Sequence, residues 1–231
     1  MNLDVPKETR YEVKFICYDD KYKLILNWIK LNQLNFLREH PSRAVNNIYF
    51  DSIDNKSYSD NISGISSRAK IRYRWYGKLN DDKNGNLEIK FKRNLFGWKK
   101  KIRIVKSLIK DNLDWSEIIN LLTINLQGNL KEFFKSNSKP QIINQYQRDY
   151  FVSFDRKIRL TIDKNHKIYD QRMFKTPNIT KRKTTQNYLA IEFKFNRGDL
   201  RYYKSMLDNF IPIQLSKNSK YINSIRAVMG I

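Results

Sequence analysis

Three short segments repeat one arrangement: Glu12-Val-Lys14-Phe15, Glu88-Ile-Lys90-Phe91 and Glu192-Phe-Lys194-Phe195. In each, a carboxylate and an ammonium group two residues apart project from one side of an extended chain, and the phenylalanine turns to the other. The run Arg68-Ala-Lys70-Ile-Arg72-Tyr-Arg74 places a cation at every second position, and Lys92, Arg148, Arg159 and Asp163 fall in further alternating segments. Arginine forks bind phosphate oxygens in pairs and stay protonated, while clustered carboxylates repel phosphate unless a divalent cation bridges them. Phosphoryl transfer asks little more of a protein, because positioning and charge stabilisation supply most of the catalysis.

Such side chains need strands to aim them. Two-residue alternation predicts strands over 10–18, 42–52, 68–75, 87–92, 99–106, 141–153, 157–167 and 188–196. Leu24, Trp28, Leu31, Leu34 and Leu37 predict an amphipathic helix over 20–38, stopped by His40-Pro41. Residues 115–135 read as one or two helices divided near Gly128, and two more helices are expected over 199–210 and 219–228. Segment 54–63 reads as a loop or short helical turn, Asn84-Gly85 as a hairpin turn, and the basic stretch 172–186 as a loop. Without a regular βαβ rhythm, the expectation is an α+β fold with a mainly antiparallel sheet, residues 1–231 forming one domain.

The charged sheet face admits two readings. In one, it lies in water and its Lys and Glu residues are solubilising cross-strand pairs. In the other, the sheet closes into an antiparallel β-barrel with a polar, charged interior and helices packed outside. A small barrel fills its interior with side chains, so a surplus of like charge there requires a ligand of opposite sign. Cations do outnumber carboxylates on these segments. Over the whole chain, 45 Lys and Arg against 23 Asp and Glu leave a formal charge of +22, which calls for an anionic partner.

Apolar residues at 40 % provide for a core, so wholesale disorder is excluded. The one cysteine, Cys17, excludes an internal disulfide framework and a multi-cysteine zinc site. No stretch approaches the roughly 18 apolar residues of a membrane span, and the N-terminal residues lack a signal-peptide core. A cytoplasmic protein is expected.

Arg10-Tyr-Glu12-Val-Lys14-Phe15, Tyr49-Phe50-Asp51, Arg72-Tyr-Arg74, Leu87-Glu88-Ile-Lys90, Tyr146-Gln-Arg148, Arg159-Leu-Thr-Ile-Asp163, Ile191-Glu192-Phe-Lys194 and Ser219-Lys220-Tyr221 follow one another in the order seen in one family. The chain resembles the VTC domain, the polyphosphate polymerase module of the vacuolar transporter chaperone complex, which belongs to the triphosphate tunnel metalloenzymes, or CYTH-like superfamily. The resemblance implies a tunnel barrel that binds ATP and a growing polyphosphate and transfers the terminal phosphoryl group with Mn2+ or Mg2+. By matching motifs it implies catalytic phosphate ligands at Lys14, Arg72, Arg74, Lys90, Arg148 and Arg159, and further substrate contacts at Lys92, Lys194, Ser219 and Lys220. Lys101 or Arg103 would add a cation, as would Lys217, and Ser216 or Ser219 would cap the last helix. Glu192 is implied as the metal ligand, with Glu12, Glu88 and Asp163 completing or orienting that site.

Two departures bear on this. Hydrolytic relatives begin Glu-x-Glu-x-Lys, and Arg10 in the first acidic position favours the polymerase-like branch. The phosphate-sensing domain and membrane helices of eukaryotic members are not in this sequence, so the domain is expected to stand alone. The alternatives are triphosphate or polyphosphate hydrolysis in the same tunnel, and non-catalytic nucleic-acid binding with Tyr73, Trp75 and Tyr76 as a stacking platform. A nucleic-acid platform gains nothing from carboxylates on its binding face, which argues against a specific nucleic-acid partner. His40 and His166 are assigned structural roles, and within the run Lys99-Lys100-Lys101, which reads as a basic patch or solvated surface, Lys100 is assigned to solvent.

Overall fold

The structure, a computed structural model, describes residues 10–94, 96–184, 187–206 and 213–230. Its first half runs β1 (Arg10–Tyr18), α1 (Tyr22–Leu31), β2 (Leu37–Asp51), α2 (Lys56–Ile62), β3 (Ser67–Tyr76), β4 (Asn86–Arg93), β5 (Phe96–Arg103), α3 (Trp115–Ile124) and α4 (Gly128–Ser136). The second half runs β6 (Lys139–Val152), β7 (Arg159–Asp170), β8 (Arg182–Lys183), β9 (Tyr188–Asn196), α5 (Leu200–Met206), β10 (Gln214–Leu215) and α6 (Lys220–Met229). All strand pairs are antiparallel, in the order β10-β1-β9-β7-β6-β2-β3-β4-β5, with β8 beside β7. This is the α+β antiparallel architecture expected from the alternation.

The barrel does not close. Among the described residues no ladder joins β5 to β1 or β10. The outer edge of β5 carries exposed Lys99, Lys100 and Lys101, and pairing it with β1 would set like charges beside Lys14. The sheet is nevertheless strongly curled. Lys90 on β4 interacts electrostatically with Glu12 and Lys194 on β1 and β9, although no backbone pairing connects these strands to β4. Register shifts in β2–β6 and β6–β7 mark bulges, which bend strands.

The helix expected over 20–38 ends at Leu31, and β2 runs straight through His40-Pro41. Asn35 adopts a left-handed φ of 46° in the intervening turn. Pro41 falls within the irregular stretch between Arg38 and Arg43, where a missing ladder donor is tolerated. Asn84-Gly85 ends the longer connection from β3 to β4 instead of forming a two-residue hairpin, with Asn84 at φ 60°. Of the helix expected over 199–210, positions 207–210 lie outside the described residues.

Apolar strand residues face outward onto helices. Phe15, Ile191 and Phe193 pack with Ile25 and Ile29 of α1 and Tyr203 of α5. Ile71, Trp75, Leu87 and Ile89 pack with Trp115, Ile118 and Leu122 of α3 and Phe134 of α4. Each such fully buried side chain contributes about 1.5–3 kcal/mol. On the opposite, concave face lies α6, whose Tyr221, Ile222, Ile225 and Val228 form a small apolar plug with Tyr49, Ile142 and Ile168. Asp51 pins the plug, accepting hydrogen bonds from Tyr221 Oη and from the Ser57 and Tyr58 amides at the start of α2.

Candidate active site

The concave face is the charged one. On β3, Lys70, Arg72 and Arg74 take alternate positions, while Ile71, Tyr73 and Trp75 are at most 1 % exposed in the outer core. Cross-strand register sets Lys70 opposite Lys90 and Arg72 opposite Glu88. Arg72 Nε donates to Glu88 Oε2 at 2.8 Å with a second contact from Nη2, and Lys99 reaches Oε1 of the same carboxylate at 3.2 Å. Arg74 donates to Asn47 Oδ1 at 2.7 Å and Tyr146 Oη at 3.0 Å, and Asn47 in turn donates to Asn144 at 2.9 Å. Elsewhere on the concave face, Arg148 grips Asp163 with two bonds of 2.6 and 2.7 Å, and Lys220 from α6 joins the same carboxylate. Lys14 pairs with Glu12 at 2.7 Å, and Lys194 pairs with Glu192.

Burial and neighbouring charge act on these groups together. Burial opposes the charge on Arg72, yet the tyrosine and Glu88 oxygens around it hold the guanidinium pKa above its ordinary value. Burial likewise works against ionised Asp163, but Arg148 and Lys220 keep its carboxyl below the usual range. Glu192 is also held well below, burial being overcome by Lys194 and Lys14. The lysines with no carboxylate bound to them among the described residues go the other way. Arg72, then burial and Arg74, push the Lys90 ammonium well down, and burial followed by Lys14 and Arg68 brings Lys70 to about 7. An enclosed cationic surplus of this kind is relieved by an anion.

The sequence-derived candidates distribute unequally. Lys14, Arg72, Arg74, Lys90, Arg148, Lys194, Lys220, Glu12, Glu88, Asp163 and Glu192 share the concave face. Arg159 is on that face at its rim, 56 % exposed and 4.0 Å from Glu39. Lys92 is exposed on β4 near Lys14 and Lys217. Lys101 stands opposite Glu88 in register but is exposed, and Lys99 is the β5 residue that reaches that carboxylate. Arg103 donates to Asn84 at 2.6 Å, outside the cationic cluster. Ser219, not Ser216, caps α6 and also accepts from Lys70 at 2.9 Å. Sequence reasoning omitted Lys70, Asn47, Asn144 and Tyr146 as site residues. Lys70 was visible in the alternating run, whereas the asparagines carried no signal.

Among the described residues no three His, Cys, Asp or Glu side chains cluster as a ready-made metal cage. Asp163 and Glu88 have both oxygens taken by cations. Glu12 and Glu192 lie on the same face of adjacent strands, each ion-paired with one lysine among the described residues. Two carboxylates with phosphate oxygens completing the shell suit a small hard cation such as Mg2+ or Mn2+.

Comparison with known families matches residues 9–229 to the VTC domain. No curated protein matches the chain. Among solved structures, the PH1819 protein of Pyrococcus horikoshii OT3 is similar at 12 % identity, with a TM-score of 0.47, 92 % of this chain and 97 % of that one being covered. The Schizosaccharomyces pombe Mediator head module is similar at 8 % identity and a TM-score of 0.49, with 88 % and 96 % covered.

Proposed function

The chain belongs to the VTC domain family, and from that premise we propose that it is a polyphosphate polymerase, transferring the terminal phosphoryl group of ATP to a growing phosphate chain within its channel. The observation that carries the reading is the concave face itself. Its cations outnumber its carboxylates, and Lys70 and Lys90 sit opposite each other with no carboxylate bound to either among the described residues. A repeating polyanion lying along the curled sheet neutralises both walls at once.

Arg72, Arg74 and Arg148 present forks to the equatorial oxygens of the transferred group, with Lys14, Lys90, Lys220 and the rim residue Arg159 adding charge. Glu88, Asp163, Asn47 and Tyr146 hold those forks in one orientation, so no reorganisation is needed as negative charge redistributes. The attacking group is a terminal phosphate oxygen of the chain, already anionic, so no general base is required. A new P–O–P bond forms, the bond between the β- and γ-phosphates breaks, and ADP leaves with the electron pair. A divalent cation held by Glu12 and Glu192 would supply further neutralisation of the phosphate oxygens.

No helix among the described residues is long and apolar enough to cross a membrane, and we place the activity in the cytoplasm, where ATP is supplied. The test is incubation with ATP and Mn2+ or Mg2+, resolving products by length. A polyphosphate ladder supports synthesis. Release of orthophosphate alone would assign the channel to hydrolysis, and no turnover with either metal would refute the enzyme.

A further inference from the structure

The outer face of the sheet is covered by helices in two places and is polar between them. One apolar cluster lies under α1 and α5, the other under α3 and α4. In the strip between, cross-strand register puts Gln145 beside Asn46 and Lys167, and Gln147 beside Ala44, all on the face opposite the channel. An open cavity of about 350 Å³ sits there, lined by these residues together with Asn165, Arg182 and Tyr146. Ala44 has only a methyl group to put into it.

A bulge builds the cavity. β7 carries one residue more than β6 at this point, so Asn165, at φ 56°, and His166 together oppose Tyr146. The Asn165 amide donates to Gln147 Oε1 at 3.2 Å, and Gln145 Nε2 donates to Asn46 Oδ1 at 2.8 Å. The Gln145 Oε1 acceptor and the Gln147 Nε2 donor are left without a bond to protein among the described residues. Among those residues no Asp or Glu lines the cavity, and neither Lys167 nor Arg182 forms an ion pair. On the channel side, Tyr146 is fully buried: its Oη accepts from Arg74 at 3.0 Å, and its ring lies 5.4 Å from the Arg148 guanidinium and 4.8 Å from the Lys220 ammonium.

We propose that this strip is an effector site for a nucleoside phosphate, separate from the channel and coupled to it through Tyr146. Carboxamides offering a donor beside an acceptor match the edge of a nucleobase, as glutamine matches adenine. Two cations without carboxylate partners match its phosphate. The volume lies within the range of about 300–1,000 Å³ usual for small-molecule sites. A ligand seated there fixes the bulge from which Tyr146 projects, and with it the tyrosine that Arg74 grips. The inference requires that the channel take an anion, not that it make polymer.

The test is equilibrium dialysis of labelled AMP against the full chain, with tripolyphosphate at saturation. AMP is expected to bind still, and adenosine and ribose 5-phosphate about tenfold more weakly or worse, because each offers half of the contacts. R182S and Q147A, both at exposed positions, are each expected to lose about tenfold in AMP affinity while keeping the wild-type Tm and tripolyphosphate affinity. Ribose 5-phosphate binding as tightly as AMP overturns the base contact. Displacement of AMP by tripolyphosphate, or equal losses for both ligands in R182S, puts AMP in the channel and overturns the site. In the converse titration, AMP is expected to shift tripolyphosphate affinity by a factor that levels off as AMP rises, as linkage between two sites demands. A shift that grows without limit means competition, and no shift at all removes the effector role; either refutes the coupling.

Discussion

Replacing Asp163 with asparagine removes the one negative charge shared by Arg148 and Lys220. Asp163 is fully buried, and the side chains of its two partners are 13 % and 14 % exposed, so water cannot take over its role. Breaking a buried ion pair from one side costs about 3–5 kcal/mol, and because asparagine keeps one acceptor oxygen the low end, about 3 kcal/mol, applies. For a protein of this size that lowers Tm by about 6–12 °C. The stranded cations then offer a stronger anion site. If tripolyphosphate binds about tenfold tighter, it returns about 1.4 kcal/mol more to the variant than to wild type, narrowing the gap in Tm by about 3–6 °C. The assay is a thermal melt of both proteins at fixed salt, with and without tripolyphosphate. The sign of its pH dependence follows from the depressed carboxyl: the wild-type advantage is complete above the unfolded pKa of about 4 and fades as pH falls through the lower folded value, so the two melts converge in acid. A loss under about 2 °C without ligand, or equal gains with it, would refute the account of Asp163 as the counterion that holds two phosphate-binding cations in place.

R72K keeps a charge but loses the fork, so turnover should fall about 100-fold in a steady-state ATP assay; near-normal turnover would remove Arg72 from the transition state. At Gly85 an added Cβ would lie 2.0 Å from the hydroxyl of Tyr73, itself bonded to Asp82, and G85A should lower stability by at least about 1–3 kcal/mol in a urea melt. Burial lowers the His166 pKa to about 4 from 6.5, so the unfolded chain takes up the proton first, and about 3 kcal/mol of stability is lost as pH falls between those values. H166Q should flatten that slope, and an unchanged pH profile would show that another group is responsible.

Two-residue alternation was enough to locate the strands that carry the site, because which face a side chain takes is a local property of extended backbone. It placed Arg72 and Arg74 on the face opposite Ile71 and Tyr73, and it put Glu192 with Lys194. Alternation could not place the start of β2, since His40-Pro41 reads as a helix stop and only pairing with β6 gives that proline a tolerated irregular position. Nor could it separate Lys99 from Lys101, which share a face of β5; cross-strand reach decided that Lys99 meets Glu88.

The sequence by itself determined that a sheet would carry an excess of cations on one face and hydrocarbon on the other, with an anion as the natural partner. Only the tertiary structure decided that the charged face is the concave one, that among the described residues the sheet stays open between β5 and β1, and that α6 enters the hollow to bring Lys220 onto Asp163. Curvature and closure are set by strand order, bulges and repulsion between residues far apart in the chain. Local patterning carries none of these.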